Sequence, residues 1–175
     1  MKTIKTFENF HNNLKSCIII HGLPGSGKTS LANKIAETHK DKDYLILDDK
    51  GRGMIYSKIL ENSRNIIISS PYIEEYMDAT FGGSVMRKKI IEIAKEMDYY
   101  LYEIWFENDK KRCIFNLENR KDHLLRSEEI IPEMSNWARN YIIPNGVKTI
   151  PILGKYKKIN VTISTEPNDF SKIEI

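Results

Sequence analysis

Short apolar runs alternate along this chain with segments whose apolar residues recur every three or four positions. "CIIIHG" at 17–22 predicts a buried strand that stops at a glycine. "SLANKIAETHK" at 30–40 places Leu31, Ala32, Ile35 and Ala36 on one helical face. "DYLILDD" at 43–49 predicts a second strand, and "RNIIISS" at 64–70 a third, closed by Pro71. "SVMRKKIIEIAKEMDYY" carries Met86, Ile90, Ile93, Ala94 and Met97 on one stripe, and "YLYEIWF" at 100–106 is a fourth strand. Helical patterns follow at 110–120 and 127–141, and "KINVTIS" at 158–164 reads as a last strand. The segment 145–156 fits either an edge strand or a hairpin. Strand–helix alternation of this kind predicts an α/β fold, with a mostly parallel five-stranded sheet flanked by helices. Near the start, "TFENFHNNL" spaces Phe7, Phe10 and Leu14 on one helical face, as expected of an extension over 1–16 that docks on the sheet or on a second copy of the chain.

The 175 residues fit one domain with its own core. A net charge of +3 does not demand a nucleic-acid partner. No apolar run reaches the roughly 18 residues of a membrane span. The polar start "MKTIKTFENFHNNLK" does not read as a signal peptide. These features predict a cytoplasmic protein with no membrane partner. Cys17 and Cys113 have no metal-ligand spacing and read as small buried hydrophobes, and no histidine pair has zinc spacing.

Chemistry enters at Gly22-Leu23-Pro24-Gly25-Ser26-Gly27-Lys28-Thr29, which fits G-x-x-x-x-G-K-[ST]. A chance match in a chain this long is of order one in a hundred. A buried strand precedes it and an amphipathic helix beginning near Ser30 follows. Each part has a physical reason. Glycines let the backbone wrap with its N–H groups turned inward to phosphate oxygens. The helix N-terminus adds partial positive charge. Lys28 reaches the β- and γ-phosphates, and the Thr29 hydroxyl suits a Mg²⁺ shell. A nucleoside triphosphate, ATP with Mg²⁺, is the expected ligand. The third strand ends without an acidic pair, which speaks against motors and transporters. No Asn-Lys-x-Asp motif speaks for a GTPase.

The loop "GLPGSGKTSLA", the "ILDD" strand end about twenty residues after the lysine, and "WFENDKKRCIFNLENR" together resemble P-loop kinases of the polynucleotide-kinase group, over roughly residues 17 to 141. The resemblance implies a three-layer P-loop sandwich in a single domain over 1–175. It also implies a small helical lid and its following helix at about 110–141, C-terminal strands at about 145–175, and a virus- or phage-encoded protein. It implies that an aspartate at the end of the second strand is the general base, with Asp48 preferred over Asp49. It implies acceptor binding by Asp49 and Arg52, and lid arginines at Arg120 and Arg126 that neutralise the transferring phosphoryl; the Ser70 hydroxyl, outside the group's pattern, can bond an acceptor phosphate. One departure stands out: Ser69-Ser70-Pro71-Tyr72 replaces the acidic residue that the group usually carries after the third strand. Arg87, Lys88 and Lys89 read as a solvated helix face, and Trp105 and Trp137 as core.

The expected reaction is transfer of the γ-phosphate of ATP to a nucleic-acid 5′-hydroxyl. A nucleoside, a nucleotide, a hydroxymethylated DNA base or another small hydroxyl acceptor fits the same residues. From other classes, a non-catalytic ATP-binding regulatory module and a small NTPase stay open, as does a homo-oligomer.

Overall fold

The computed structural model describes residues 15–48, 52–69, 83–119 and 127–152. In chain order its elements are β1 (Ser16–His21), α1 (Lys28–Thr38), a 3-10 turn (Lys40–Lys42), β2 (Tyr44–Leu47), α2 (Arg52–Leu60) and β3 (Asn65–Ile68). They continue as α3 (Gly83–Glu96), β4 (Tyr100–Phe106), α4 (Lys110–Glu118), α5 (Ser127–Asn140) and β5 (Thr149–Ile150). The strands form one five-stranded sheet in the order β2-β3-β1-β4-β5, and every pairing is parallel.

β1 is central and buried along its whole length. Helices cover both faces of such a sheet, so a central strand has no polar side and reads as an unbroken apolar run. The two-residue period still sorts the side chains. Ile18 and Ile20 of β1, Ile67 of β3 and Ile104 of β4 pack with Leu31 and Ile35 of α1, Cys113 and Leu117 of α4 and Met134 of α5. Cys17 and Ile19, with Leu47, Ile66 and Ile68, pack with Ile55 and Ile59 of α2 and Ile90, Ile93 and Ala94 of α3. α1, α4 and α5 therefore cover one face, and α2 and α3 the other.

Two elements differ from the expected pattern. α2 is not among the helices that the periodicity singles out. Among its described side chains only Ile55 and Ile59, one turn apart, are fully buried, a stripe too thin to stand out beside the glycines at 51 and 53. The described fifth strand is Thr149–Ile150, inside the segment that fits an edge strand or a hairpin. It runs parallel beside Trp105 and Phe106 of β4. The strand expected at 158–164 and the extension up to residue 14 lie outside the described residues. Among the described residues no helix is long and apolar enough to cross a membrane.

Candidate phosphate-binding site

The loop 22–29 leaves the carboxyl end of β1 and enters α1, the edge of a parallel sheet where ligands bind in open α/β folds. Ser26 N–H donates to the Leu23 carbonyl (3.0 Å), which closes a turn, and Leu31 N–H donates to Gly27 (2.9 Å) as the first bond of α1. Gly25 and Gly27 hold φ of 82° and 104°, where a side chain is strained. At Gly25 space is also missing: a Cβ would lie 2.4 Å from the Cys113 carbonyl oxygen and 2.9 Å from Leu117 Cγ. Gly25→Ala is thus expected to lower stability by about 2–4 kcal/mol. Gly53→Ala, with nothing within 4 Å, should be neutral or slightly stabilising in helix α2. Thermal melts of the two variants side by side check this.

Lys28 is 7% exposed. Its ammonium donates to the carbonyls of Gly22 (2.6 Å) and Leu23 (3.2 Å), so the loop backbone holds the charge over its own concavity. Thr29 Oγ1 donates to Asp48 Oδ2 at 2.9 Å. Ser69 Oγ donates to Asp48 Oδ1 at 2.8 Å, and Ser69 N–H is held by the Leu47 carbonyl at 3.1 Å. One carboxylate thus ties together the ends of two strands, β2 and β3, and the start of α1. Each of its oxygens has a further lone pair to offer.

The structure therefore brings together Lys28, Thr29 and Asp48 from among the expected site residues. It adds Ser69, a hydroxyl at the end of β3 where the resemblance leads one to expect a carboxylate. Asp49, Ser70, Arg120 and Arg126 lie outside the described residues. So does the side chain of Arg52, whose backbone opens α2. Asn116 of α4 falls within the "WFENDKKRCIFNLENR" stretch, which gave it no role of its own: its amide donates to the Gly25 carbonyl at 2.9 Å.

A second polar cluster joins the end of β1 to β4 and α3. His21, the residue before the loop, is fully buried and stacks on Trp105 with centroids 3.8 Å apart. Its Nε2 lies 3.0 Å from Glu103 Oε1. An ionised carboxylate only accepts, so that nitrogen carries the hydrogen. Arg87 grips the same carboxylate with two bonds of 2.6 Å and sits 5.5 Å from the Trp105 ring centroid. This corrects the expectation of a solvated face at Arg87: the guanidinium turns to the one acid inside β4, while Lys88 and Lys89 stay exposed. Trp105 is 5% exposed, core as expected. A charged residue in the run "YLYEIWF" was the available signal for this cluster.

Burial pushes the Glu103 carboxyl up, but the hydrogen bonds and charges of His21 and Arg87 outweigh it and bring it from 4.5 to about 2. A depressed carboxyl stabilises the fold above its unfolded value and loses that contribution as pH falls through its folded value. The window is pH 4.5 down to about 2. For a side chain 15% exposed, the contribution is roughly 3 kcal/mol at most. Glu103→Gln is expected to cost about 3–5 kcal/mol at neutral pH by stranding the buried partners, and to flatten this acid limb. Denaturation curves across that pH range check both.

Burial pushes the thiols of Cys17 and Cys113 up to about 12, so neither is a nucleophile at neutral pH. Among the described residues, no three His, Cys, Asp or Glu gather as a metal cluster.

No family model matches the chain. Among solved structures, the YorR protein of Bacillus subtilis, in complex with phosphorylated GDP, is similar at 16% identity and a TM-score of 0.43, covering 78% of this chain and 84% of that one. So distant a likeness carries no argument about activity. A chain of Acanthamoeba polyphaga mimivirus, "Uncharacterized protein R277", is 31% identical over 127 residues, covering 69% of this chain and 84% of the relative. At that identity and coverage, the chain belongs to the family of this mimivirus protein.

Proposed function

We propose that the chain is a virus-encoded P-loop kinase that moves the γ-phosphate of ATP to an acceptor hydroxyl. The observation that carries this reading is the convergence of Lys28, Thr29 and Asp48 at the carboxyl edge of the sheet, with the Thr29 hydroxyl bonded to Asp48 at 2.9 Å. A nucleotide loop alone could serve many ends. A carboxylate set beside that loop is what a transfer to a hydroxyl requires.

Lys28 exchanges its two carbonyl acceptors for oxygens of the β- and γ-phosphates. The N–H groups at the start of α1 turn to the same phosphates, since a helix offers its first N–H groups no internal partner. Asp48 takes the proton of the acceptor hydroxyl as that oxygen bonds to the γ-phosphorus. The bond from phosphorus to the bridging oxygen breaks, and ADP leaves with that electron pair. Lid arginines at Arg120 and Arg126 supply planar donors to the transferring phosphoryl.

Mg²⁺ fits the donor set. Thr29 Oγ1 is a hard oxygen that turns its hydrogen to Asp48 and keeps lone pairs for an ion, and Mg²⁺ takes few protein oxygens beside phosphates and water. Bound at Thr29, it would offset the charge of the β- and γ-phosphates.

The acceptor that the resemblance favours is a nucleic-acid 5′-hydroxyl, with Asp49, Arg52 and Ser70 beside it. A competition assay tests this. Wild-type protein is given labelled ATP and equal concentrations of 5′-hydroxyl DNA, 5′-hydroxyl RNA, hydroxymethyl-pyrimidine DNA, nucleosides and nucleotides. Label on oligonucleotide 5′ ends supports the reading. Label on a nucleoside or nucleotide alone moves the assignment to a small-molecule kinase.

A further inference from the structure

The loop 22–29 is held from below by α4 as well as by its own turn. Asn116 Nδ2 donates to the Gly25 carbonyl at 2.9 Å, across 91 positions of sequence. The N–H of the same peptide unit, that of Ser26, donates to Leu23 at 3.0 Å. One peptide plane in the loop is therefore fixed at both ends. Beside it, the Gly25 α-carbon rests against the Cys113 carbonyl and the Leu117 side chain with no room for a Cβ. The helix itself gives no reason for an asparagine in the last turn of α4, because the residue is a weaker helix former than alanine or leucine.

We propose that Asn116 is a positioning residue for phosphate binding, acting through the Gly25–Ser26 peptide. A loop carbonyl turned inward would set its negative end against a bound phosphate and fill the concavity that inward N–H groups create. By drawing the Gly25 carbonyl outward to α4, Asn116 keeps the loop open to the nucleotide. It also leaves the left-handed turn at Gly27 to present the start of α1. The ligand is the phosphate chain of a nucleoside triphosphate, and in this respect the inference rests on the kinase reading above.

Asn116→Asp keeps the shape, removes the donor and sets a carboxylate against a carbonyl. Asn116→Ser shortens the reach. Both are titrated with Mg·ATP by calorimetry, beside wild type and Lys28→Ala, and melted without ligand. Each is expected to weaken Mg·ATP binding roughly tenfold, as for one lost hydrogen bond to a constrained group. The loss should fall on the KM for ATP more than on kcat, at a melting temperature close to wild type. Asn116→Gln, which keeps an amide donor, should recover part of the affinity. Unchanged affinity in both variants overturns the inference while the kinase reading stands. So does an affinity that falls only in step with the melting temperature. Wild-type protein that does not bind Mg·ATP overturns the kinase reading and this inference with it.

Discussion

Lys28→Ala is expected to reduce phosphoryl transfer by a thousandfold or more, with the fold intact. Removing a single preorganised donor to developing charge typically costs about 10²–10³ in rate, and Lys28 in addition binds the ground-state phosphates. The ammonium sits 2.6 Å from the Gly22 carbonyl in a site nearly closed to solvent, where its charge is little screened. Its loss removes the positive charge from the centre of the loop. The protein should not unfold, because the two carbonyls released, those of Gly22 and Leu23, lie at a loop that water can enter once the side chain is gone. Steady-state rates with excess ATP, paired with far-UV circular dichroism, measure the effect. A variant that keeps a tenth or more of wild-type transfer would be incompatible with Lys28 acting on phosphate.

Asp48→Asn is expected to cut kcat by about 10²–10⁴, the range of a lost general base. Nucleotide affinity should change far less, since the amide can still accept the Thr29 hydroxyl on its oxygen. Ser69 Oγ now donates to Asp48 Oδ1 at 2.8 Å. An amide nitrogen at that corner turns the bond round, and the serine hydroxyl has the lone pairs to accept it. Stability should therefore shift by only about 1 kcal/mol. An equal loss in binding and in kcat would instead make Asp48 a holder of the loop through Thr29, with the proton going elsewhere. Ser69→Ala separates these further: it frees one carboxylate oxygen and should leave transfer within a few-fold of wild type.

Much of this molecule can be read in its sequence, and the limit has a physical origin. β4 matches its apolar run from Tyr100 to Phe106, and α1 shows its face through Leu31 and Ile35, because strand and helix periods are local properties. The loop is legible for the same reason: eight consecutive residues carry its chemistry. Contacts between distant positions are not. Glu103 in a buried strand announces that it needs a partner, yet nothing local says that the partners stand at 21 and 87. Asn116 looks like any polar helix residue until α4 is packed under Gly25. Ser69 and Asp48 meet only because β2 and β3 pair in the register that sets Leu47 beside Ile68, which places the two residues that follow side by side.

The destination of the γ-phosphate separates a kinase from a hydrolase and from a binding module. The most direct measurement follows γ-labelled ATP in wild-type protein and in Asp48→Asn, with a 5′-hydroxyl oligonucleotide and the small acceptors together, separating label on acceptor, label as free phosphate and label left on ATP. The account predicts label on an acceptor hydroxyl in the wild type and a loss of at least a hundredfold in the variant. Free phosphate alone, released equally by both proteins, would contradict it and make the chain a nucleotide hydrolase. ATP bound but left intact would contradict it as well, and would make the loop a regulatory binding site.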